Sequence, residues 1–317
     1  MLSTALAKGM MKLAPRYGDP SDLHLQEIFE HDVYRKADPE EQLRIRLRSS
    51  QFTYDYEGEL GFFDHYFPSV KPEEFAGCKM LDLGCFSGGR MTHWVERYKL
   101  SEGHGIDVDP VYAEAGNDFA KSKNINAKFV HGVGERLPYP DDYFDYVASY
   151  DVFEHVQDLV QVMNEIWRVL KPGGRLLTVF PPYYNPLEAH LRLTTSLHGL
   201  HLLFSGKAIT RAYYDIIKER GHEAAWYARK NPEPADWEKS PGLNGITVKR
   251  FRNIVTSRDW EMQSWGVNSL VSHGRKSKKQ PYKTIAGLMK IPAHLPILEE
   301  VFLGRVCCVL KKPIPVQ

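Results

Sequence analysis

The stretch Cys78-Lys-Met-Leu-Asp-Leu-Gly-Cys-Phe-Ser-Gly-Gly-Arg90 contains the pattern that decides the fold. Its apolar beginning predicts a short buried strand, and the glycines from Gly84 to Gly89 predict a turn. The apolar spacing from Met91 to Tyr98 then predicts a helix. A glycine turn between a strand and a helix brings the backbone close to a ligand and directs free helix N–H groups at it. The stretch therefore predicts a ligand-binding corner.

Strand and helix patterns alternate along the middle of the chain. Parallel strands need helical crossovers, so this succession predicts a doubly wound, parallel α/β sheet that binds ligands at the carboxyl ends of its strands. The predicted strands are 78–83, 103–108, 127–131, 143–149, 175–180 and 305–311. The predicted helices are 89–99, one from Pro110, 158–170, 207–220 and 247–255, and Pro39 is a candidate start for another.

The composition is that of an ordinary globular protein. Of 317 residues, 43% are apolar and 26% charged, and the net charge of +1 gives no general attraction to nucleic acid. Four cysteines form neither a metal-binding pair nor a disulfide framework, so we expect a reducing, cytoplasmic location. We expect no nucleic-acid partner.

The first 16 residues alternate apolar and basic side chains and contain no acid. This pattern is typical of a helix that lies on an anionic membrane surface, and it also fits a helix that packs on its own protein. Both interpretations stay open. No apolar run approaches the roughly 20 residues that a membrane-spanning helix needs.

Asp107 stands at the end of the second predicted strand. In nucleotide-binding βαβ units an acid at this position accepts hydrogen bonds from the two ribose hydroxyls, because a carboxylate offers two acceptor oxygens. The alternative is that Asp107 caps the next helix. Asp109 is better placed for capping, which leaves Asp107 free for a ligand.

With these features, the chain resembles the class I S-adenosylmethionine-dependent methyltransferases of the small-molecule type, sometimes called methyltransferase type 11, over residues 78–181. Five motifs carry the resemblance in the family's order. They are the glycine turn in Leu81–Gly89, Gly105-Ile-Asp107, the Gly-Val-Gly-Glu-Arg-Leu-Pro-Tyr-Pro-Asp-Asp-Tyr-Phe-Asp segment 132–145, Phe153-Glu-His-Val156, and Arg168-Val-Leu-Lys-Pro-Gly-Gly174.

The resemblance implies a seven-stranded Rossmann-like sheet with helical caps at the N terminus and after the fifth strand. We expect an N-terminal helical and aromatic cap at 1–70 and a methyltransferase domain at 71–317, with an acceptor-binding insertion at about 182–300. The implied cofactor is S-adenosyl-L-methionine. Its expected contacts are Asp82, Gly84, Cys85, Phe86, Gly88, Asp107, Val108, Gly134, Glu135, Ser149 and Tyr150.

Two positions depart from the family pattern. Phe86 replaces the second glycine of the turn, so its side chain has to turn away from the cofactor, toward the acceptor cleft or the adjoining helix. Val133 replaces the aspartate that contacts adenine, which leaves Gly134 and Glu135 to help. Loss of that acceptor corresponds to about 1–2 kcal/mol of affinity if nothing compensates.

The resemblance also implies the reaction, which is methyl transfer to a small-molecule or glycan-like acceptor, expected at oxygen. A hydroxyl acceptor profits from a general base, and His190 and His155 are the candidates, with His190 preferred because it lies in the acceptor region. Tyr183, Tyr184, His198 and His201 lie in the same region, and we expect no metal. The Pro-Pro-Tyr-Tyr run at 181–184 follows the fifth strand, so we interpret it as an acceptor-side wall.

Two other functions remain open. A nicotinamide-dependent oxidoreductase shares the βαβ fingerprint, although Leu-Pro-Tyr-Pro at 137–140 and the Glu154-His155 pair are not typical of that class. A catalytically silent protein that binds S-adenosylmethionine as a scaffold is the second alternative, and Phe86 and Val133 favour it.

Overall fold

A computed structural model describes residues 3–15, 32–183, 194, 195, 197, 200–220, 244–269, 280–295 and 298–315. The strands are β1 Lys79–Leu83, β2 Glu102–Asp107, β3 Ala127–His131, β4 Phe144–Tyr150, β5 Leu170–Phe180, β6 Glu261–Ser269 and β7 Leu303–Lys311. The helices are α1 Thr4–Leu13, α2 Asp32–Lys36, α3 Pro39–Leu60, α4 Phe62–Tyr66, α5 Gly89–Tyr98, α6 Pro110–Lys123, α7 Leu159–Val169, α8 Leu200–Leu203, α9 Gly206–Glu219, α10 Val248–Thr256, α11 Tyr282–Ala293 and α12 Glu299–Phe302. A 3-10 helix covers Pro72–Phe75.

The seven strands form one sheet in the order β3-β2-β1-β4-β5-β7-β6. The pairs β1–β2, β1–β4, β2–β3 and β4–β5 are all parallel. The strand order reverses between β1 and β4, which makes this the topological switch point where ligands of such sheets bind. The predicted doubly wound, seven-stranded α/β fold is confirmed.

Local signals set the start and end of the longest helix, α3. Asp38 precedes it and accepts the N–H of Glu41 at 2.9 Å, while Pro39 occupies the first helical position. Gly61 ends the helix with φ +63°, a left-handed conformation that glycine adopts without strain. The start predicted at Pro39 is confirmed.

The aromatic segment after α3 supplies core side chains. Phe62 and Phe63 are fully buried, and the Phe63 ring centroid lies 4.8 Å from that of Trp94 and 4.5 Å from that of Phe75. Such tilted aromatic contacts add to the free energy of simple area burial. Through these rings, the segment 62–75 packs against α5.

The contacts divide the chain into two compact units. One comprises residues 24–180, 253–266 and 307–317 and contains most of the sheet, and the other comprises residues 1–23, 181–252 and 267–306. The expected cap at 1–70 is thus divided between the two units. In the second unit α1 packs on α9 through buried Ala7 and Met11, and Lys8 and Lys12 both pair with Glu219, at 2.6 and 2.7 Å. Across the described ranges, no helix is long and apolar enough to cross a bilayer.

Candidate functional site

The loops after β1 and β4 interlock at the switch point. Gly84, just after β1, has φ +71°, and a Cβ added there would collide with the side chain of Val152 from the loop after β4. Phe86 and Asp151 are non-glycine residues with φ +47° and +56° in these same two loops. Left-handed backbone at such residues stores strain, and strain of this kind concentrates at functional sites.

Asp107 joins the ends of β1 and β2. One carboxylate oxygen accepts the N–H of Phe86 at 3.0 Å, and the other accepts the N–H of Asp109 at 3.1 Å. Asp107 is 9% exposed, so its carboxylate is nearly enclosed at this corner. Asp109 itself caps α6 by accepting the N–H of Val111 at 2.9 Å, so the predicted capping role of Asp109 is confirmed.

The Phe86 ring turns toward the first turn of α6. Its centroid lies 5.5 Å from that of Tyr112, with the two planes at 81°, and Val111 and Ile45 belong to the same apolar cluster. Its backbone is in the left-handed region, with φ +47°. The turn therefore tolerates this phenylalanine because α6 gives the ring a place to pack.

Asp82 lies underneath the turn. It is fully buried, and Arg90 of α5 donates to both of its oxygens, at 2.7 and 3.0 Å. Burial raises the pKa of Asp82, and the adjacent Arg90 guanidinium opposes that shift. Arg90 also donates to the carbonyl of Gly84 at 3.3 Å. Because Arg90 engages both carboxylate oxygens, Asp82 acts on the turn through Arg90.

A second buried acid, Glu57 of α3, lies in the same region. Its Oε1 accepts the indole N–H of Trp94 at 2.8 Å and the backbone N–H of Phe62 at 3.0 Å. Burial raises the pKa of Glu57 to about 7, although these donors and the Arg90 charge lower it. Glu57 therefore titrates near neutral pH.

Helix α3 packs directly on the glycine turn. The Ser50 hydroxyl donates to the carbonyl of Ser87 at 2.6 Å, and a side chain at Gly89 would collide with the Ser50 carbonyl. Gly88 has φ +74°, and a Cβ there would lie 2.6 Å from the Cα of Gly116. Close approach of α3 and α6 thus accounts for these two glycines, whether or not Gly88 also contacts a ligand.

The segment after β3 supplies an exposed apolar side chain and a helix anchor. Val133 is 45% exposed, and Val108, just after β2, is 62% exposed. Gly134 is buried against Leu83 and Val162. Glu135 accepts the N–H of Gln157 at 2.9 Å and that of Asp158 at 3.2 Å, so its carboxylate anchors the chain just before α7.

The end of β4 presents Ser149 and Tyr150. Ser149 Oγ is buried and has no hydrogen-bond partner in the part of the chain that the structure describes. The Tyr150 hydroxyl lies 3.2 Å from that of Tyr66, and the Arg90 guanidinium lies 5.5 Å from its ring centroid. Cys85, by contrast, has its thiol in the core, where burial raises its pKa, so only its backbone is available to a ligand.

His155 lies in the exposed loop after β4. Its Nε2 is 3.7 Å from Oε1 of Glu154, whose side chain is buried. His190, the preferred base, lies outside the described residues, as do Tyr184 and His198. The described ranges contain no group of three or more His, Cys, Asp or Glu side chains that could hold a metal.

Sequence reasoning missed three residues that shape the site, namely Arg90, Glu57 and Ser50. Arg90 had a usable signal, because a cation in the first turn of a helix is unfavourable unless an acid compensates it. Glu57 and Ser50 had none, since their contacts join segments more than 30 residues apart along the chain.

Comparison with known proteins places this site in a family context. Residues 81–178 match the family model described as "Methyltransferase domain". A probable tocopherol O-methyltransferase, chloroplastic, from Oryza sativa subsp. japonica is 28% identical over 250 residues, which cover 75% of this chain and 61% of the relative.

Two further relatives act, by name, at other atoms. Norajmaline N-methyltransferase of Rauvolfia serpentina is 34% identical over 120 residues, covering 37% of this chain and 39% of the relative. A ubiquinone/menaquinone biosynthesis C-methyltransferase of Vibrio campbellii is 33% identical over 131 residues, covering 40% and 49%. The chain thus spans between 39% and 61% of the length of these three relatives.

Proposed function

Because residues 81–178 identify this chain as a class I S-adenosylmethionine-dependent methyltransferase, we propose that it methylates a small-molecule acceptor. The predicted family and its cofactor, S-adenosylmethionine, are thereby confirmed, and the nicotinamide alternative loses its support. The observation that carries the proposal is the pair of Asp107 hydrogen bonds, to Phe86 and Asp109. They hold a carboxylate at the end of β2 directly beside the glycine turn.

The described residues fit this cofactor. Asp107 holds a carboxylate, the acceptor that suits ribose hydroxyls, at the end of β2, and Val108 and Val133 offer exposed apolar surface for the adenine ring. We assign Gly84, Cys85 and Phe86 to the methionine part through their carbonyl groups, because their N–H groups already donate to Ile106 and Asp107. The bound cofactor supplies a methyl group on a sulfonium, from which the neutral thioether is a good leaving group.

The remaining predicted contacts have narrower proposed roles. Ser149 Oγ, buried without a described partner, is a donor available to the cofactor, and Tyr150 provides a neighbouring wall. We assign Gly134 and Glu135 to backbone contacts, because the Glu135 carboxylate already accepts two N–H groups. Asp82 and Gly88 support the turn from below.

We propose an oxygen atom of a small, lipophilic or glycan-like molecule as the acceptor. The tocopherol relative supports an oxygen acceptor, while the relatives that act at nitrogen and carbon show that similarity of the domain leaves the atom open. Residues 182–300 remain our proposed source of acceptor-binding groups. A reducing, cytoplasmic location is our proposal as well, and the four free thiols agree with it.

The protein's part in the reaction is alignment, exclusion of water and removal of a proton. We propose that a histidine takes the hydroxyl proton, with His190 as first choice and His155 as second. Glu154, 3.7 Å from His155 Nε2, would stabilise the protonated imidazole that results.

Two measurements in sequence test this function. Calorimetry with S-adenosylmethionine comes first, and we expect binding that is competed by the demethylated product. Incubation with deuteromethyl-labelled cofactor and a panel of phenols, quinols and sugars comes next, with mass spectrometry to find the labelled acceptor. Binding without transfer to any member of the panel would instead support the scaffold alternative. Absence of binding would exclude both the methyltransferase and the scaffold.

A further inference from the structure

Helix α11 leaves large apolar side chains uncovered. Ile285, Leu288 and Ile291 follow one another at intervals of three, which places them on one side of the helix, and Leu295 follows just beyond its end. Leu288 is 60% exposed and Ile291 is 70% exposed, and Leu298 continues the exposed surface beyond the helix. Groups of exposed large apolar side chains of this kind often mark interaction sites.

Among the described side chains of the helix, the buried ones are small, and Met289 and Pro292 are half-buried. Ala286 and Ala293, seven residues apart, are its buried residues, while Lys283, Leu288, Lys290 and Ile291 are exposed. An ordinary surface helix does the opposite, because its large aliphatic residues face the core. The large side chains of α11 are therefore available to a partner.

The charged side chains of α11 itself are lysines, while in the neighbouring α12 Glu299 pairs with Arg252 and Glu300 accepts the N–H groups of Val248 and Lys249. Residues 280–295 contain Lys283 and Lys290 and no acidic residue. The preceding segment 275–279, which lies outside the described residues, adds Arg275, Lys276, Lys278 and Lys279 in the sequence. An apolar face accompanied by basic residues is typical of helices that bind anionic lipid surfaces.

Helix α1, which has a similar composition, does not offer such a surface. Its Ala7 and Met11 are buried in the core of the second unit, and Lys8 and Lys12 pair with Glu219. These ion pairs occupy the cations that a membrane would attract. Helix α1 thus packs apolar side chains within the fold, whereas the large apolar side chains of α11 are exposed.

We propose that α11 docks on the surface of an anionic lipid bilayer, with Leu288 and Ile291 inserted among the acyl chains. With 12 residues the helix is about 18 Å long, too short to span and suited to lie in the plane of the interface. A second copy of the chain fits less well. An isologous contact would bring Lys283 and Lys290 of both copies together without an acid in the segment to offset them. This proposal is independent of catalysis.

Vesicle flotation with the full chain tests it. The vesicles are phosphatidylglycerol mixed with phosphatidylcholine, or phosphatidylcholine alone, and neither cofactor nor acceptor is present. We expect binding to the anionic vesicles that weakens with salt. Leu288→Glu and Ile291→Glu should each lower the partition coefficient at least about tenfold, and Lys290→Glu about fivefold.

Leu13→Glu is the matched control. It makes the same leucine-to-glutamate change at a residue of α1 that is 81% exposed. We expect this variant to bind like the unmodified chain, and circular dichroism checks that every variant is folded. Equal loss in Leu13→Glu would move the contact to α1 and overturn the assignment to α11. Absence of binding to any vesicle also overturns it, and dimerisation lost in Leu288→Glu would identify a second copy as the occupant instead.

Discussion

Asp107 accepts the backbone N–H of Phe86 across the ends of two neighbouring strands, at 3.0 Å. The acid proposed to hold the ribose therefore also fixes the one residue of the turn that departs from the family pattern. Cofactor affinity and the shape of the turn are coupled through this carboxylate. Any change at Asp107 acts on both, and the predictions below separate the two effects.

Asp107→Ala should weaken S-adenosylmethionine binding by about 1–3 kcal/mol, because the ribose hydroxyls lose a charged acceptor. Calorimetry on the folded variant measures this. Asp109→Ala is the control, since it removes the cap of α6 and should cost about 0.5–2 kcal/mol of stability with little effect on affinity. Equal affinities in both variants would mean that Asp107 serves only the turn.

Phe86→Gly and Phe86→Ala should differ in stability by about 1 kcal/mol in favour of glycine. Both variants lose the contact with Tyr112, but only alanine keeps a Cβ at φ +47°. Urea unfolding of the pair measures the strain directly, and we expect both variants to bind S-adenosylmethionine. Identical midpoints would show that the turn relaxes and stores no strain at this position.

Arg90→Met should destabilise the chain by about 3–5 kcal/mol, because it keeps an apolar stem but leaves the Asp82 charge buried without its partner. Adding Asp82→Asn to this variant should recover part of the loss, since the uncompensated charge is then gone. Urea unfolding of both single variants and the double variant gives the coupling energy. If the losses of the two single variants simply added up in the double variant, the Arg90–Asp82 ion pair would contribute no coupling energy.

Glu57→Gln should make stability less dependent on pH. The folded pKa of about 7 lies above the ordinary value of 4.5, so the folded state holds the proton more tightly and stability falls as the pH rises between these values. Relative to the unmodified chain, the free energy of unfolding of the glutamine variant should increase by about 3 kcal/mol between pH 4.5 and pH 8. Thermal unfolding across this range measures the gain. Glu59→Gln makes the same change at an exposed position of α3 and is the control for the substitution itself.

His190→Ala should lower turnover by about 100-fold or more while leaving cofactor affinity nearly intact, if the acceptor is a hydroxyl. His155→Ala is its counterpart, and a loss there alone would transfer the role of base to the Glu154–His155 pair. Turnover and calorimetry on both variants provide the comparison. Unchanged turnover in both would leave alignment alone, or a tyrosine, as the explanation.

Periodic apolar patterns carried the prediction of the central fold. The strand predicted at 127–131 is β3, Ala127–His131, and the helix predicted at 158–170 is α7, Leu159–Val169, whose apolar face is buried as its spacing requires. The apolar face of α7 is buried, so its hydrophobic pattern specifies it, whereas β3 is an edge strand in which only Phe129 is fully buried. The position of Asp107 at the end of β2 follows from the same strand pattern.

The sequence did not predict β6 or α11. In β6, Glu261–Ser269, polar residues such as Gln263 and Asn268 interrupt the apolar alternation of this last strand in the sheet order. In α11 the apolar spacing is helical, but Pro281, Gly287 and Pro292 resemble turn signals. The predicted site lacked Glu57 for a related reason, because its contact with Trp94 joins segments 37 residues apart and leaves no local periodicity.

The contact between Ser50 and the glycine turn has a consequence for the smallest piece of this chain that can be made. The family match begins at residue 81, yet the Ser50 carbonyl fills the space over Gly89, and Glu57 holds the Trp94 indole. Excision at residue 81 would expose Trp94 and leave its N–H without an acceptor. The boundary of sequence similarity therefore cuts through a cooperative folding unit, and expression of the catalytic segment requires α3 in the same polypeptide.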